Sequence, residues 1–370
     1  MQQRSSTPTY QTSAKATISL DARLGGGGEG DVWSVKERLD VAKLYHASNL
    51  NPDLELKILA MIENPPVDKM RVKGHISIAW PTEALYQQGK FAGFLMPRIE
   101  NSPTIFTMYN PPRRQKECPG FTWVYLMRTA LNLSIAVDAI HAKGYVIGDL
   151  NESNVLVNHR ALVSLIDTDS FQVRDRNGKL FGCRVGKEDF LPPELQGKDL
   201  EKVERLPEHD FYGLAVLIFR LLMEGVHPFT GVLTRETELT ESTQFYCQKQ
   251  GAFPYDKKNK IVAPPIMAPR FDTLPNSIQE RMLACFVSGH NQPEKRPSAE
   301  EWVSILEISE KNLATCSANS GHVYSNHLIK CPWCEREINK REGKFQTPLP
   351  PAKTSRSRPV QTPPDRKSVV

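Results

Sequence analysis

The run Ile147-Gly148-Asp149-Leu150-Asn151-Glu152-Ser153-Asn154-Val155-Leu156-Val157 constrains this chain more than any other. It sets a carboxylate and a carboxamide five residues apart, just ahead of an apolar strand. Eighteen residues past Asp149, a second strand-like run, Leu162-Val163-Ser164-Leu165-Ile166, ends in Asp167-Thr168-Asp169. A carboxylate at the end of a buried apolar strand is costly unless a metal ion or a donor satisfies it. Asp167 is therefore a candidate metal ligand.

Upstream, Leu24-Gly25-Gly26-Gly27-Gly28-Glu29-Gly30-Asp31-Val32 contains G-x-G-x-x-G-x-V at Gly25, Gly27, Gly30 and Val32. Glycines let a hairpin backbone approach phosphates closely and offer them its N–H groups. Four consecutive glycines are also what a merely flexible loop would carry. Lys43, in Val41-Ala42-Lys43, stands thirteen residues after Gly30. A lysine there is either a point charge for phosphates, held by a carboxylate of the adjacent helix, or a solvated strand lysine. Glu55 is the expected partner, on a helix over 53–62 that opens after Pro52 and ends at Asn64-Pro65-Pro66.

Strands are expected over 16–20, 32–35, 41–44, 76–80 and 91–96, giving a small β-rich part with one helix. Past Pro112 the pattern changes. Trp123, Leu126, Ala130, Leu133, Val137 and Ile140 recur at spacings of three and four, one apolar stripe of a long helix. Residues 210–224 are apolar nearly all round and predict a buried helix, whose densest apolar run, Leu214 to Met223, is interrupted by Arg220 and far too short to span a bilayer. Helices over 277–288 and 298–313 follow, the last opening on the capping-box form Ser298-Ala299-Glu300-Glu301.

Taken together and in this order, the motifs resemble the eukaryotic-type protein kinase family over about residues 18–312. The resemblance implies an α+β, two-lobed protein-kinase fold with a β-rich N-lobe (17–100) and a helical C-lobe (101–313). It implies ATP with Mg²⁺ or Mn²⁺ as cofactors and a protein Ser/Thr hydroxyl as acceptor. Gly25, Gly27, Gly30 and Lys43 match that family's glycine loop and strand lysine, Asp149 its catalytic base, and Asn154 and Asp167 its metal ligands. Met96, followed by Pro97-Arg98-Ile99, matches the residue before the hinge that faces adenine, where Pro97 removes one N–H donor. Pro192-Pro193-Glu194 stands where the family has A-P-E, Asp210 opens its central helix, and Arg296 resembles the arginine that pairs with that Glu.

Three departures carry consequences. The family's H-R-D reads Ile147-Gly148-Asp149, so the arginine that receives an activation-segment phosphate is missing, and activity independent of phosphorylation between Asp167 and Glu194 is expected. D-F-G reads Asp167-Thr168-Asp169. Asn151 replaces the lysine that commonly follows the catalytic base. His141 is expected to be structural.

The chain has seven cysteines, an odd count that argues against a disulfide framework. Cys118, Cys183, Cys247 and Cys285 are scattered. Cys316, His322, Cys331 and Cys334 instead form a C-x5-H-x8-C-x2-C cluster within 314–338, with zinc spacing and no open position, hence a structural Zn²⁺ site. His327 competes with His322, and a metal-free dithiol is the alternative. Divergent kinases with such a terminal zinc ribbon resemble bacterial kinases associated with von Willebrand A-like proteins and PP2C-type phosphatases, which implies such partners.

Residues 1–16 and 339–370 are expected to be disordered, with Ser/Thr-rich ends as candidate autophosphorylation sites. Residues 339–370 hold eight Lys/Arg and two Asp/Glu, a surplus of six, whereas the whole chain carries a formal net charge of only +5. The folded part is thus near neutral, which argues against a nucleic-acid face. No secretory signal or membrane span is visible, and a cytoplasmic location is expected. Four readings remain: an active protein kinase, a nucleotide-binding pseudokinase that scaffolds through its zinc unit, a small-molecule kinase, and a nucleic-acid binder.

Overall fold

The computed structural model describes residues 9–343. Strands gather in the first hundred residues. β1 (Thr9–Thr12), β2 (Thr17–Gly26), β3 (Gly30–Val35), β4 (Asp40–Tyr45), β5 (Glu83–Gln87) and β6 (Lys90–Pro97) close into a barrel in the order β1-β2-β3-β4-β6-β5. Side chains of a strand alternate between faces. In β4 this sends Ala42 into the barrel core with Tyr10, Ile18, Leu20, Val35, Leu85 and Leu95, and turns Val41 and Tyr45 toward the main core. Lys43 shares the second face, with Val32 and Phe94 as its cross-strand neighbours.

Two expectations fail here. Residues 9–12 are not disordered: Thr9–Thr12 pairs with both β2 and β5, burying Tyr10 and Thr12. An unpaired sheet edge would expose a row of N–H and C=O groups, and β1 removes it. Residues 1–8 lie outside the described residues. The run 76–80 is no barrel strand, since the closed barrel has no edge to offer it. It makes one parallel bridge, Ile78 to Leu165, and Trp80 donates its indole N–H to Met61 O at 2.8 Å.

The helix α1 (Pro52–Glu63) starts where expected: Asn51 caps it, accepting from Leu54 N at 2.9 Å, and Pro52 sits at its first position. Beyond residue 100 the chain is mainly helical. α2 (Trp123–His141) buries the predicted stripe, followed by the short hairpin of β7 (Val155–Val157) and β8 (Val163–Leu165). α3 (Pro207–Leu222) is buried on nearly every side, and α4 (Ala299–Lys311) carries the full Ser298–Glu301 capping box. The helix expected over 277–288 runs from Asn276 to Leu283 and continues as one π-turn, Ala284–Ser288. Among the described residues no helix is long and apolar enough to cross a membrane.

The C-terminal unit comprises β9 (Leu313–Thr315) paired with β10 (Val323–Ser325), then α5 (Pro332–Arg341). It is docked on the helical part. Trp333 lies against Trp123 with ring centroids 6.1 Å apart, and Arg336 donates to Met267 O at 2.6 Å. Since α5 extends through Arg341, the tail boundary expected at 339 is too early. Residues 344–370 lie outside the described residues.

Candidate functional site

The β2–β3 turn forms one wall of a cavity of about 1010 Å³ between the barrel and the helical part. Its glycines serve different ends. At Gly30 a Cβ would meet Leu44 O at 2.2 Å, so close strand approach requires glycine there. At Gly25, Gly27 and Gly28 a Cβ would meet nothing within 4 Å, leaving open backbone against the cavity. Val32, Val41, Ala79, Leu156 and Ile166 supply apolar walls, and Met96 to Asn101 the rim. Met96 itself is buried. Among the sequence candidates, Gly25, Gly27, Gly30, Val32, Lys43, Met96, Asp149, Asn154 and Asp167 all line this cavity.

Asp149 and Asn154 are organised by their own loop. Asn151 Nδ2 donates to Asp149 Oδ1 at 2.8 Å, Asn154 Nδ2 to Asp149 Oδ2 at 3.3 Å, and Lys187 N to Oδ1 at 3.1 Å. Burial raises the Asp149 pKa, and these donors offset only part of that. The loop's backbone is fixed from α3. Asp210 accepts from Ile147 N at 2.7 Å and Gly148 N at 2.8 Å, and His141 Nε2 lies 2.9 Å from the same carboxylate. His141 is thus tied into the scaffold.

Lys43 is buried beneath the glycine turn. Its Nζ donates to Asp169 Oδ1 and Oδ2 at 2.8 and 2.7 Å and to Asp167 Oδ1 at 2.8 Å, and Glu29 Oε2 lies 3.7 Å away. Burial alone would depress the Lys43 pKa, but the Asp169 and Asp167 charges outweigh it and hold it above the ordinary value. Asp169, wholly buried, is held below the usual carboxylate range: burial opposes its charge, and Lys43 prevails.

Glu55 does not reach Lys43. It accepts from Tyr86 Oη at 3.1 Å, and α1 buries Lys57, Ile58 and Met61 instead. The buried face of α1 thus lies about half a turn from the expected one. Sequence reasoning also passed over Asp169 and Arg205. Asp169 had a visible signal, a second carboxylate two residues past Asp167. Arg205 had none. It is buried against Gly148, whose φ is 74° and where a Cβ would lie 2.7 Å from Cys183 Sγ and 3.3 Å from Arg205 Cγ. Arg205 Nη2 donates to Val185 O at 2.8 Å and its amide to Gln172 Oε1 at 2.7 Å, clasping the segment that follows Asp167. The two hydroxyl residues between Asp167 and Glu194, Thr168 and Ser170, are both buried.

At the other end of the chain, Cys316, His322, Cys331 and Cys334 place their ligand atoms within 4.8 Å of one another. Cys316 Sγ is 3.6 Å from Cys334 Sγ, and His322 Nδ1 is 3.4 and 3.7 Å from Cys334 and Cys331 Sγ. Bonds of about 2.0–2.3 Å from a tetrahedral centre give edges of this size. His322 Nε2 lies 3.4 Å from Glu337, an outer partner of the sort that orients a ligating imidazole. His327 is engaged elsewhere, with Ser325 Oγ at 2.8 Å and Asp272 O at 3.0 Å.

A buried cation and several carboxylates facing a cavity under open glycine backbone can hold a polyanion together with a metal ion. No family model matches the chain. Over 331 residues, 88% of this chain, it is 33% identical to a protein named protein kinase YegI from Escherichia coli O157:H7. Over 334 residues, 87% of the chain, it is 33% identical to protein kinase YegI of Escherichia coli strain K12. The chain spans about half the length of these relatives, 50% and 49%.

Proposed function

We propose that this chain is a divergent protein kinase that transfers the terminal phosphoryl group of ATP to Ser/Thr hydroxyls of a protein. The observation that carries this reading is the convergence of Lys43, Asp149, Asn154 and Asp167 on one cavity under the glycine turn. The likeness to proteins named protein kinase over most of the chain supports it.

In this reading the β2–β3 turn offers backbone N–H groups to the phosphates, and Lys43 adds a fixed positive charge. Asn154 and Asp167 would hold Mg²⁺ or Mn²⁺. A divalent ion held there would supply charge neutralisation to the phosphates. Asp149 accepts or orients the proton of the attacking hydroxyl, and burial, by raising its pKa, makes it a stronger acceptor than a free aspartate. Val32, Val41, Ala79 and Leu156 would sandwich the adenine. Little covalent chemistry falls to the protein, so positioning and charge suffice. The Cys316/His322/Cys331/Cys334 unit is a closed structural zinc site in the same proposal, and the von Willebrand A-like and PP2C-type partners implied by the resemblance belong to it.

A second reading, a nucleotide-binding pseudokinase that docks partners through the zinc unit, draws on the three donors already engaging Asp149 and on Asn151 in place of lysine. Titration of Mg-ATP and a transfer assay on Asp149→Asn separate them. The kinase reading expects tight binding in both proteins and transfer lost only in the variant. Binding without transfer in wild type, whatever protein acceptor is supplied, supports the scaffold.

A further inference from the structure

Where a nucleotide phosphate can sit depends on what fixes Lys43. Three carboxylates surround its ammonium, and they are not equivalent. Asp167 and Glu29 line the large cavity, with side chains 39% and 53% exposed, whereas Asp169 is 2% exposed and takes no part in that lining. A ligand in the cavity competes for Asp167 and Glu29 and leaves Asp169 alone.

Asp169 is itself tightly held. Tyr45 Oη donates to its Oδ2 at 2.6 Å. The turn Thr168–Ser170 that carries it is pinned by Thr168 Oγ1 to Ala79 O at 2.8 Å and Ser170 Oγ to Asp167 O at 2.8 Å. From the other side comes α1, which brings no carboxylate to Lys43: Glu55 is engaged with Tyr86, Asp53 with Lys179 at the exposed edge of a second cavity, and Lys57 is buried. Among the described residues no hydrogen-bond or ion-pair partner reaches the Lys57 ammonium. Asp169 supplies the largest attractive charge acting on it, and both line this second, smaller cavity of about 300 Å³. Where the sequence led to a helix carboxylate, the carboxylate beside Lys43 stands in the turn after β8, and the helix carries a cation instead.

We propose that Asp169 positions Lys43 for the nucleotide phosphates, in place of a carboxylate on α1, and that Lys57 balances Asp169 from the helix. This rests on the phosphoryl-transfer reading. The pair is made between β4 and the turn after β8, so a displacement of α1 does not remove the carboxylate from Lys43.

The test is Mg-ATP affinity by titration calorimetry, with thermal unfolding recorded for every variant. Asp169→Asn alone leaves Lys57 buried without the carboxylate that balances it and endangers folding. It is therefore paired with Asp169→Asn/Lys57→Met, which removes one charge of each sign. The expected result is a folded double variant that binds Mg-ATP about tenfold or more weakly than Lys57→Met. On a Lys43→Met background the same Asp169 change costs less than about twofold, because its effect passes through Lys43. Glu55→Gln stays within about twofold of wild type. A folded protein in which the Asp169 change is harmless, or adds in full to Lys43→Met, overturns the proposal, as does a Glu55→Gln loss of equal size. Wild-type protein that binds no Mg-ATP overturns the underlying reading instead.

Discussion

Arg296 closes on Glu194 with two parallel hydrogen bonds of 2.6 and 2.8 Å, and its guanidinium has no exposed surface. The same side chain donates to Gly289 O and Glu208 O, so it ties the 193–195 turn to the start of α3 and to the helices before α4. Removing one partner of a buried pair leaves the other charge uncompensated, which costs about 3–5 kcal/mol. Arg296→Ala is expected to lower unfolding free energy in urea by about that amount. Arg296→Lys should recover little of it, because a lysine cannot bond both carboxylate oxygens in the same plane.

Gly148 stands where only glycine fits. Its φ of 74° is unfavourable for other residues by about 1–2 kcal/mol, and its missing Cβ leaves room for Cys183 and Arg205. Gly148→Arg, which writes the kinase family's H-R-D arginine back into the loop, is expected to destabilise by more than about 2 kcal/mol. It should not confer dependence on phosphorylation. A denaturation midpoint equal to wild type would show that Arg205 and Cys183 can move aside.

Metal content tests the C-terminal cluster. Purified protein is expected to carry about one zinc per chain, and Cys331→Ser or Cys334→Ser to carry none. Because Trp333 packs on Trp123, chelation should also change tryptophan fluorescence and lower the melting temperature. Protein that holds no zinc when prepared without chelators, and that melts unchanged in the variants, argues for a plain dithiol.

The pH dependence follows from Asp149. Its pKa is raised, chiefly by burial, and only the ionised form accepts a proton. The acid limb of the transfer-rate profile is therefore expected above the ordinary aspartate range of about 3.9, with rate rising as pH rises through it. Initial rates over about pH 4 to 8 check this. A limb at or below the ordinary value would remove Asp149 from that role.

The loop residues were legible in the sequence because their geometry is local. Asp149 and Asn154 are brought together by five residues of chain, and Asp167 by the strand it ends. Lys43 was legible from its place on an expected strand thirteen residues after Gly30. Glu55 was not, because helix register against a strand is set by packing: the side chains of Lys57, Ile58 and Met61 fill the interface and rotate Glu55 toward Tyr86. Strand β1 escaped notice since Thr-Tyr-Gln-Thr has one apolar residue and is held by pairing on both sides. Arg205 is far from Gly148 in sequence, and only the fold brings it there.

The most direct measurement is incorporation of labelled phosphate from ATP with Mg²⁺, into the protein itself and into a generic protein acceptor, in wild type and Asp167→Ala. Asp167 faces the cavity beside Lys43, so its loss is expected to abolish incorporation while the protein stays folded. Incorporation that persists undiminished in folded Asp167→Ala protein would contradict the assignment of this cavity as the site of phosphoryl transfer.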